Sequence, residues 1–322
     1  MLIDAGHEAA EREIEKISRR LKIIYSKAAA ELGKEWKEFL GKYEKKRKEL
    51  YQKIIEATNK DDMAKARKVY NDFMREHTIL DRRYRSLTEN LAKEISHVNE
   101  TAAEYVNGRT PTVYADNWNY SGKDIEYKTN TAIRFDIINP HTVENLVKSD
   151  ANFLPRYDID PAKDIPWNME IINSEVAQGI VKGESIPKIS NRLNKVCGMN
   201  EQSAVRSART IVTSVENQAR MDTAHEAQAK GVIVYKEWIA TFDNRVRDWH
   251  KTAGMRYGTR DQAIPIDDKF EVGPDMMEKP GDMSACSENL YNCRCAMATI
   301  PRGFTSILPP ERRGKIHVRF RS

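Results

Sequence analysis

The sequence predicts an α+β fold in three parts: a long N-terminal antiparallel helical hairpin, a middle helical region, and a small C-terminal α+β domain with short antiparallel strands. Three observations predict it. Apolar residues recur every three or four positions through the first hundred residues, that period fades between 107 and 167, and after Gly231 the period changes from 3.6 to 2. With 322 residues, 40% apolar and 31% charged, the chain is long enough for about two domains and lean in core-forming material.

The first run places Ile14, Ile17, Leu21, Ile24, Ala28, Leu32, Trp36, Phe39 and Tyr43 on one helical face. Thr58-Asn59-Lys60-Asp61-Asp62 supplies turn and N-cap chemistry. A second run follows at Met63, Ala66, Tyr70, Phe73, His77, Leu80, Tyr84, Leu87, Leu91, Ile95, Val98, Ala102 and Tyr105. Two long helices with so short a break fold back on each other, giving a hairpin over 1–107. Its narrow stripe suits a projecting arm or a docking surface, and an intramolecular helix pair with no further role equally well. His77 and His97 carry no ligand signal. Lys45-Lys46-Arg47-Lys48 is flanked by Glu44 and Glu49 and reads as a solvated face.

Residues 108–166 gather the breakers Gly108, Pro111, Gly122, Pro140, Pro155, Pro161 and Pro166, and are expected to form an irregular connector. The aromatics Tyr114, Trp118, Tyr120 and Tyr127 here pin a loop to the core, or less commonly form a stacking surface for nucleic acid. Over 167–231 the helical period returns. Gly198 is expected to close one helix and Asn200 to cap the next, whose stripe is Ala204, Ala208, Val212, Val215 and Ala219, with Arg206, Arg209 and Arg220 on its flanks. Residues 232–301 open with a strand at 233–239 and close with strands near 270–272 and 296–300.

Charge and composition exclude several classes. No stretch approaches the roughly 18 uninterrupted apolar residues of a membrane span. Met1 to Arg20 alternates acids and bases without an apolar core segment, so a secretory signal is not expected. The net charge of +5 is small, yet the tail 302–322 alone matches it, setting Arg302, Arg312, Arg313, Lys315, Arg319 and Arg321 against Glu311. No Walker loop, dinucleotide glycine fingerprint or zincin helix motif is present.

The chemistry concentrates between Trp238 and Ile300. His250, Cys286, Cys293 and Cys295 match a Cys3His zinc set in number and type, and in extended backbone the side chains of Cys293 and Cys295 point the same way. The stretch 255–292 is rich in Gly, Pro and Asp, so a closed metal site could supply folding free energy there. Buried thiols with a hydrogen-bonded His250 remain the alternative. An open site with zinc-activated water, Asp243 as base and Arg247 on a phosphate is the enzymatic version, a metal-dependent nuclease or hydrolase; a cysteine nucleophile with His250 as base is a further formal option.

Thr241-Phe-Asp-Asn-Arg-Val-Arg-Asp-Trp-His250, Gly254, Phe270-Glu-Val, Pro280-Gly-Asp282 and Asn292-Cys-Arg-Cys295, in this order, resemble the phage head morphogenesis, or minor head protein, family (Mu F-like, SPP1-type). The likeness runs from about 185 to 300, with Asp164-Ile-Pro-Trp-Asn168 and Ala208-Arg-Thr-Ile-Val-Thr213 adding to it. It implies that 167–231 and 232–301 are the helical and α+β parts of the family's domain. It also implies a non-enzymatic, low-copy virion component of the head interior, made in the host cytoplasm and associated with the portal, capsid and scaffold proteins. Asp243, Arg247 and Asn292 carry over as motif residues beside His250, Cys293 and Cys295; Cys286 matches less securely. Possible zinc is structural on this reading, and double-stranded DNA meets Arg312, Arg313, Lys315, Arg319 and Arg321 of the tail without sequence preference. Some relatives are fused to toxin or ADP-ribosyltransferase domains; the stretch after Cys295 is too short for such a cargo, and none is expected.

Overall fold

The computed structural model describes residues 5–76, 82–182, 184 and 186–305. His77, Leu80 and the tail residues Arg312, Arg313, Lys315, Arg319 and Arg321 lie outside the described residues. The elements are α1 (Ala5–Glu56), α2 (Lys60–Glu76), α3 (Arg82–Asn107), α4 (Thr110–Thr129), α5 (Pro140–Ser149), α6 (Pro161–Val181), α7 (Ile186–Ala229), β1 (Val232–Ile239), α8 (Asp248–Tyr257), a 3-10 turn at Arg260–Gln262, β2 (Ile264–Pro265), β3 (Phe270–Val272), β4 (Asp275–Met277), α9 (Ser287–Leu290) and β5 (Ala296–Phe304). The fold is α+β and mostly helical, with short antiparallel strands toward the C-terminal end. Among the described residues no helix is long and apolar enough to cross a membrane.

The chain forms two compact units that interleave in sequence, whereas the sequence reading expected domains in succession. One comprises Arg20–Ala103 and Asp158–Ala204; the other comprises Met1–Arg19, Glu104–Tyr157 and Val205–Ser322.

In the first unit the fold-back is antiparallel: Tyr25 Oη donates to Asn99 Oδ1 at 2.6 Å, and the Tyr51 and Tyr70 rings lie 5.8 Å apart near the turn. Asn59 Oδ1 accepts from the Asp62 amide, as the polar break anticipates. The core joins Leu32, Leu91, Ala92, Ile95, Ile172, Val176, Ile189, Val196 and Cys197. A polar network crosses it. Asn99 Nδ2 donates to Asp164 and, at 2.8 Å, to Asn200 Oδ1, while Asn200 Nδ2 donates to Asn168 Oδ1 at 2.9 Å. Asp164 and Asn168 of the Asp-Ile-Pro-Trp-Asn motif therefore serve burial of polar groups, each satisfied by another. The expected break at Gly198 does not occur. Asn200 is fully inside α7, because its side chain bonds to neighbouring helices and is not needed as a cap.

The second unit corrects the expected connector, since 110–129 and 140–149 are helices. Pro111 and Pro140 sit in the first turns of α4 and α5, where a missing N–H costs nothing. Asn139 Oδ1 caps α5 by accepting from the Thr142 amide at 2.9 Å. In β1 the buried face is Val232, Val234, Lys236 and Trp238. Strand order is β2-β1-β5, all antiparallel, with Trp238 opposite Met297; β3 and β4 form a separate hairpin. One core cluster contains Ile125, Ile133, Met221, Val232, Val234 and Met297. Another gathers Trp238, Ala253, Tyr257, Phe270, Val272 and Met277 around Cys293 and Cys295. Burying each large side chain contributes about 1.5–3 kcal/mol, so this small cluster is a modest core for a loop-rich segment.

Candidate metal centre

α8 is short, and its buried face, His250, Ala253, Gly254 and Tyr257, follows the i, i+3, i+4, i+7 rule. Gly254 lets it approach β1 closely, since a Cβ there would meet the Ala240 Cβ at 2.7 Å. Opposite His250, the extended residues before β5 carry Cys293 and Cys295 on the same side. His250 Nδ1 lies 3.4 Å from Cys295 Sγ and 3.6 Å from Cys293 Sγ. The three donor atoms lie within 4.8 Å of one another, and each residue is at most 2% exposed.

The other imidazole nitrogen is committed. Asn289 Nδ2 donates to the Val272 carbonyl at 2.8 Å and to Asp275 Oδ2 at 2.7 Å, which turns Asn289 Oδ1 toward His250 Nε2 at 3.2 Å. Nε2 therefore carries the proton, and the Nδ1 lone pair faces the sulfurs. The two thiols divide their roles. Cys293 is held well below the ordinary thiol range by its hydrogen bond with Cys295, against burial, with His250 and the Cys295 amide adding to the effect. Cys295 is held above that range by its hydrogen bond with Cys293 and by burial. The buried Trp238 indole N–H makes no full hydrogen bond; its influence falls on the Cys295 sulfur, where it favours the thiolate.

These donors fit zinc. Tetrahedral Zn–S and Zn–N bonds of about 2.3 and 2.05 Å separate sulfur from nitrogen by about 3.6 Å, close to both distances here. A metal would hold Nδ1 and both sulfurs as ligands, and a bound Cys295 thiolate would give the Trp238 N–H its acceptor. The ion would supply a cross-link between α8 and the start of β5.

Cys286 departs from the expected four-ligand set. Its amide donates to Asp275 Oδ2 at 3.0 Å, and its thiol is pushed up first by the hydrogen bond to Asp275 and then by burial. It lies outside the donor group, at the N-cap of the short helix α9, which begins immediately after it. Asp243 and Arg247 act on backbone. Asp243 Oδ1 accepts from the Arg245 and Val246 amides at 2.8 and 3.2 Å and from Arg294 Nη2 at 2.6 Å. Arg294 beside it, with these amides, lowers its carboxyl to about 2. That carboxylate is a poor base. Arg247 Nη2 donates to the Tyr291 carbonyl. Asn292 adopts φ 57°, a left-handed conformation that asparagine tolerates, and its amide donates to Thr210 Oγ1 at 2.8 Å.

The sequence reading missed the α7 face behind the cysteines. Thr213 Oγ1 donates to the Cys293 carbonyl at 2.9 Å, Asn217 Oδ1 accepts from the Met297 amide at 2.7 Å, and Arg220 Nη1 donates to the Met297 carbonyl at 2.8 Å. With Thr210, the spacing 210, 213, 217, 220 lines these groups on one helical face that satisfies the backbone of 292–297. Arg220, placed on the helix flank by the sequence pattern, is instead buried and paired with Glu216 at 3.1 Å. The signal was available only as a polar stripe at helical period beside the apolar one.

Residues 170–298, which include all three donors, match the family model described as Phage Mu protein F like protein. The chain is 26% identical over 230 residues to Minor head protein GP7 of Bacillus phage SPP1, covering 70% of each protein. It is 22% identical over 204 residues to the NAD(+)--arginine ADP-ribosyltransferase EFV of Enterococcus faecalis, covering 62% of this chain and 39% of that protein. No solved structure matches the chain significantly.

Proposed function

We propose, from the match of residues 170–298 to the Phage Mu protein F like family model, that the chain is a phage minor head protein acting through binding and not through turnover. The observation that carries this reading is the similarity to a minor head protein over 230 residues, well beyond the family segment. Within it the portal is the partner in head assembly, the particle interior is the location, and the basic tail meets packaged DNA. The five tail cations Arg312, Arg313, Lys315, Arg319 and Arg321 could release up to about five counterions, which makes that contact salt-sensitive and blind to sequence.

The cluster supports a structural role for metal. Its three donors are buried, and Asp243, the candidate base of the enzymatic version, is engaged by Arg294. The transferase activity in the second relative's name is that protein's own, and more than half of that protein lies outside the match. The test is co-expression with a portal, a scaffold and a major capsid protein, followed by purification of the particles. This chain is expected in them at low copy, and deletion of 306–322, which leaves β5 whole, is expected to weaken DNA association without removing the chain from the particle. Metal-dependent cleavage of DNA or RNA abolished by His250→Ala would replace this reading with a nuclease.

A further inference from the structure

We propose that a cleft between α4, α5 and α7 is a receptor for an arginine side chain presented by a partner protein. The cleft has a volume of about 610 Å3 and is walled by Tyr114, Trp118, Leu146 and Phe153, with Asp222 among its lining residues. The aromatic wall is preorganised. Tyr114 and Trp118 stack with centroids 6.2 Å apart and planes 22° apart, Phe153 tilts against Tyr114 at 5.3 Å, and Trp118 Nε1 donates to the Asp136 carbonyl at 3.0 Å.

Asp222 is the group that asks for a ligand. Its Oδ2 accepts from the Tyr114 hydroxyl at 2.7 Å and its Oδ1 from Gln218 Nε2 at 2.7 Å. Both donors are neutral, and among the described residues no cation pairs with it. The neighbouring acid Glu226 is neutralised by Lys230 at 3.0 Å, and His225 faces Asp267 at 3.5 Å. One formal negative charge is thus left against an aromatic surface. Burial, followed by this charge, pushes the Tyr114 phenol far up.

Charge complementarity selects the occupant. A nucleobase would bring phosphates toward an uncompensated carboxylate, and an aliphatic side chain would desolvate it without a partner. A guanidinium stacks on the aromatic face and donates to the carboxylate in the same pose. On this proposal the less common alternative for Tyr114, Trp118, Tyr120 and Tyr127, a nucleic-acid stacking surface, is disfavoured at Tyr114 and Trp118 by the same negative charge. This inference is independent of the head-assembly reading.

The test uses the full 15N-labelled chain and the Trp118 indole N–H resonance, assigned with Trp118→Phe. The probe is the blocked tripeptide Gly-Arg-Gly, compared with Gly-citrulline-Gly and with a thymidine oligonucleotide. The arginine peptide is expected to shift the resonance saturably. The uncharged citrulline peptide, and the arginine peptide on Asp222→Asn, are expected to bind at least about tenfold more weakly. No saturable shift, equal binding of citrulline, or a shift by the oligonucleotide in place of the arginine peptide would overturn the proposal. The citrulline comparison holds even if Asp222→Asn fails to fold.

Discussion

Asn289 Oδ1 stands 3.2 Å from His250 Nε2, and through that contact an amide anchored on Val272 and Asp275 decides which imidazole nitrogen meets the sulfurs. Removing the amide frees the ring to rotate and to change tautomer. Asn289→Ala is expected to lower zinc affinity about 10- to 100-fold, read by competition with a chromogenic chelator. Unchanged affinity would mean that the ring is oriented by packing alone.

Cys286 lies outside the donor group. Cys286→Ser is therefore expected to keep the zinc content of the wild-type chain, while Cys293→Ser loses it. Elemental analysis of the two purified variants separates a three-ligand protein site from the four-ligand set the sequence suggested.

The Asp243 carboxyl, lowered to about 2 by Arg294 and two backbone amides, ties the loop before α8 to the residue between the cysteines. A depressed folded value gives stability that is present above the unfolded carboxylate range, near 4, and is lost as pH falls through the folded value. Melting temperature should decline between about pH 4 and pH 2 more steeply in the wild type than in Asp243→Asn. Parallel curves would remove the pair from the stability account.

His7 behaves with the opposite sign. Burial opposes its charge, and so does Arg220, but Glu216, by attraction and a hydrogen bond at 3.0 Å, and Glu11 raise it above 6.5. Its contribution is complete below about pH 6.5 and is lost as pH rises through the raised folded value. Thermal melts from pH 6 to pH 9 should fall in the wild type and stay flatter in His7→Gln.

Gly281 brings its loop against α7. With φ at 70°, a Cβ would lie 2.9 Å from the Ser214 amide nitrogen and 3.0 Å from its Cα. Backbone cannot yield as a flexible side chain does. Gly281→Ala is expected to cost about 2 kcal/mol or more, measured by urea unfolding.

The long helices were legible because residues such as Leu21, Leu32, Leu91 and Ile95 repeat at three and four and end buried. The pairing of Cys293 with Cys295 was legible because extended backbone puts i and i+2 on one side. α4 was not. Its buried face mixes Val113 and Ile125 with Asn117, Ser121 and Thr129, so it carries little apolar period, and its proline looks like a breaker until the helix start is known. Asn200 and Arg220 were misread for a shared reason. A polar residue looks exposed in sequence, and only tertiary neighbours such as Asn168, Asn117 and Met297 reveal its partners. Nothing in the spacing of Cys286 could have excluded it, because α9 decides its place.

The most direct measurement is metal content combined with thermal unfolding of the purified chain, before and after a strong chelator, beside Cys293→Ser. One bound zinc per chain, a melting temperature that drops on chelation, and a variant that melts like the chelated protein are expected if His250, Cys293 and Cys295 brace this fold. A metal-free chain that melts identically with chelator would contradict it.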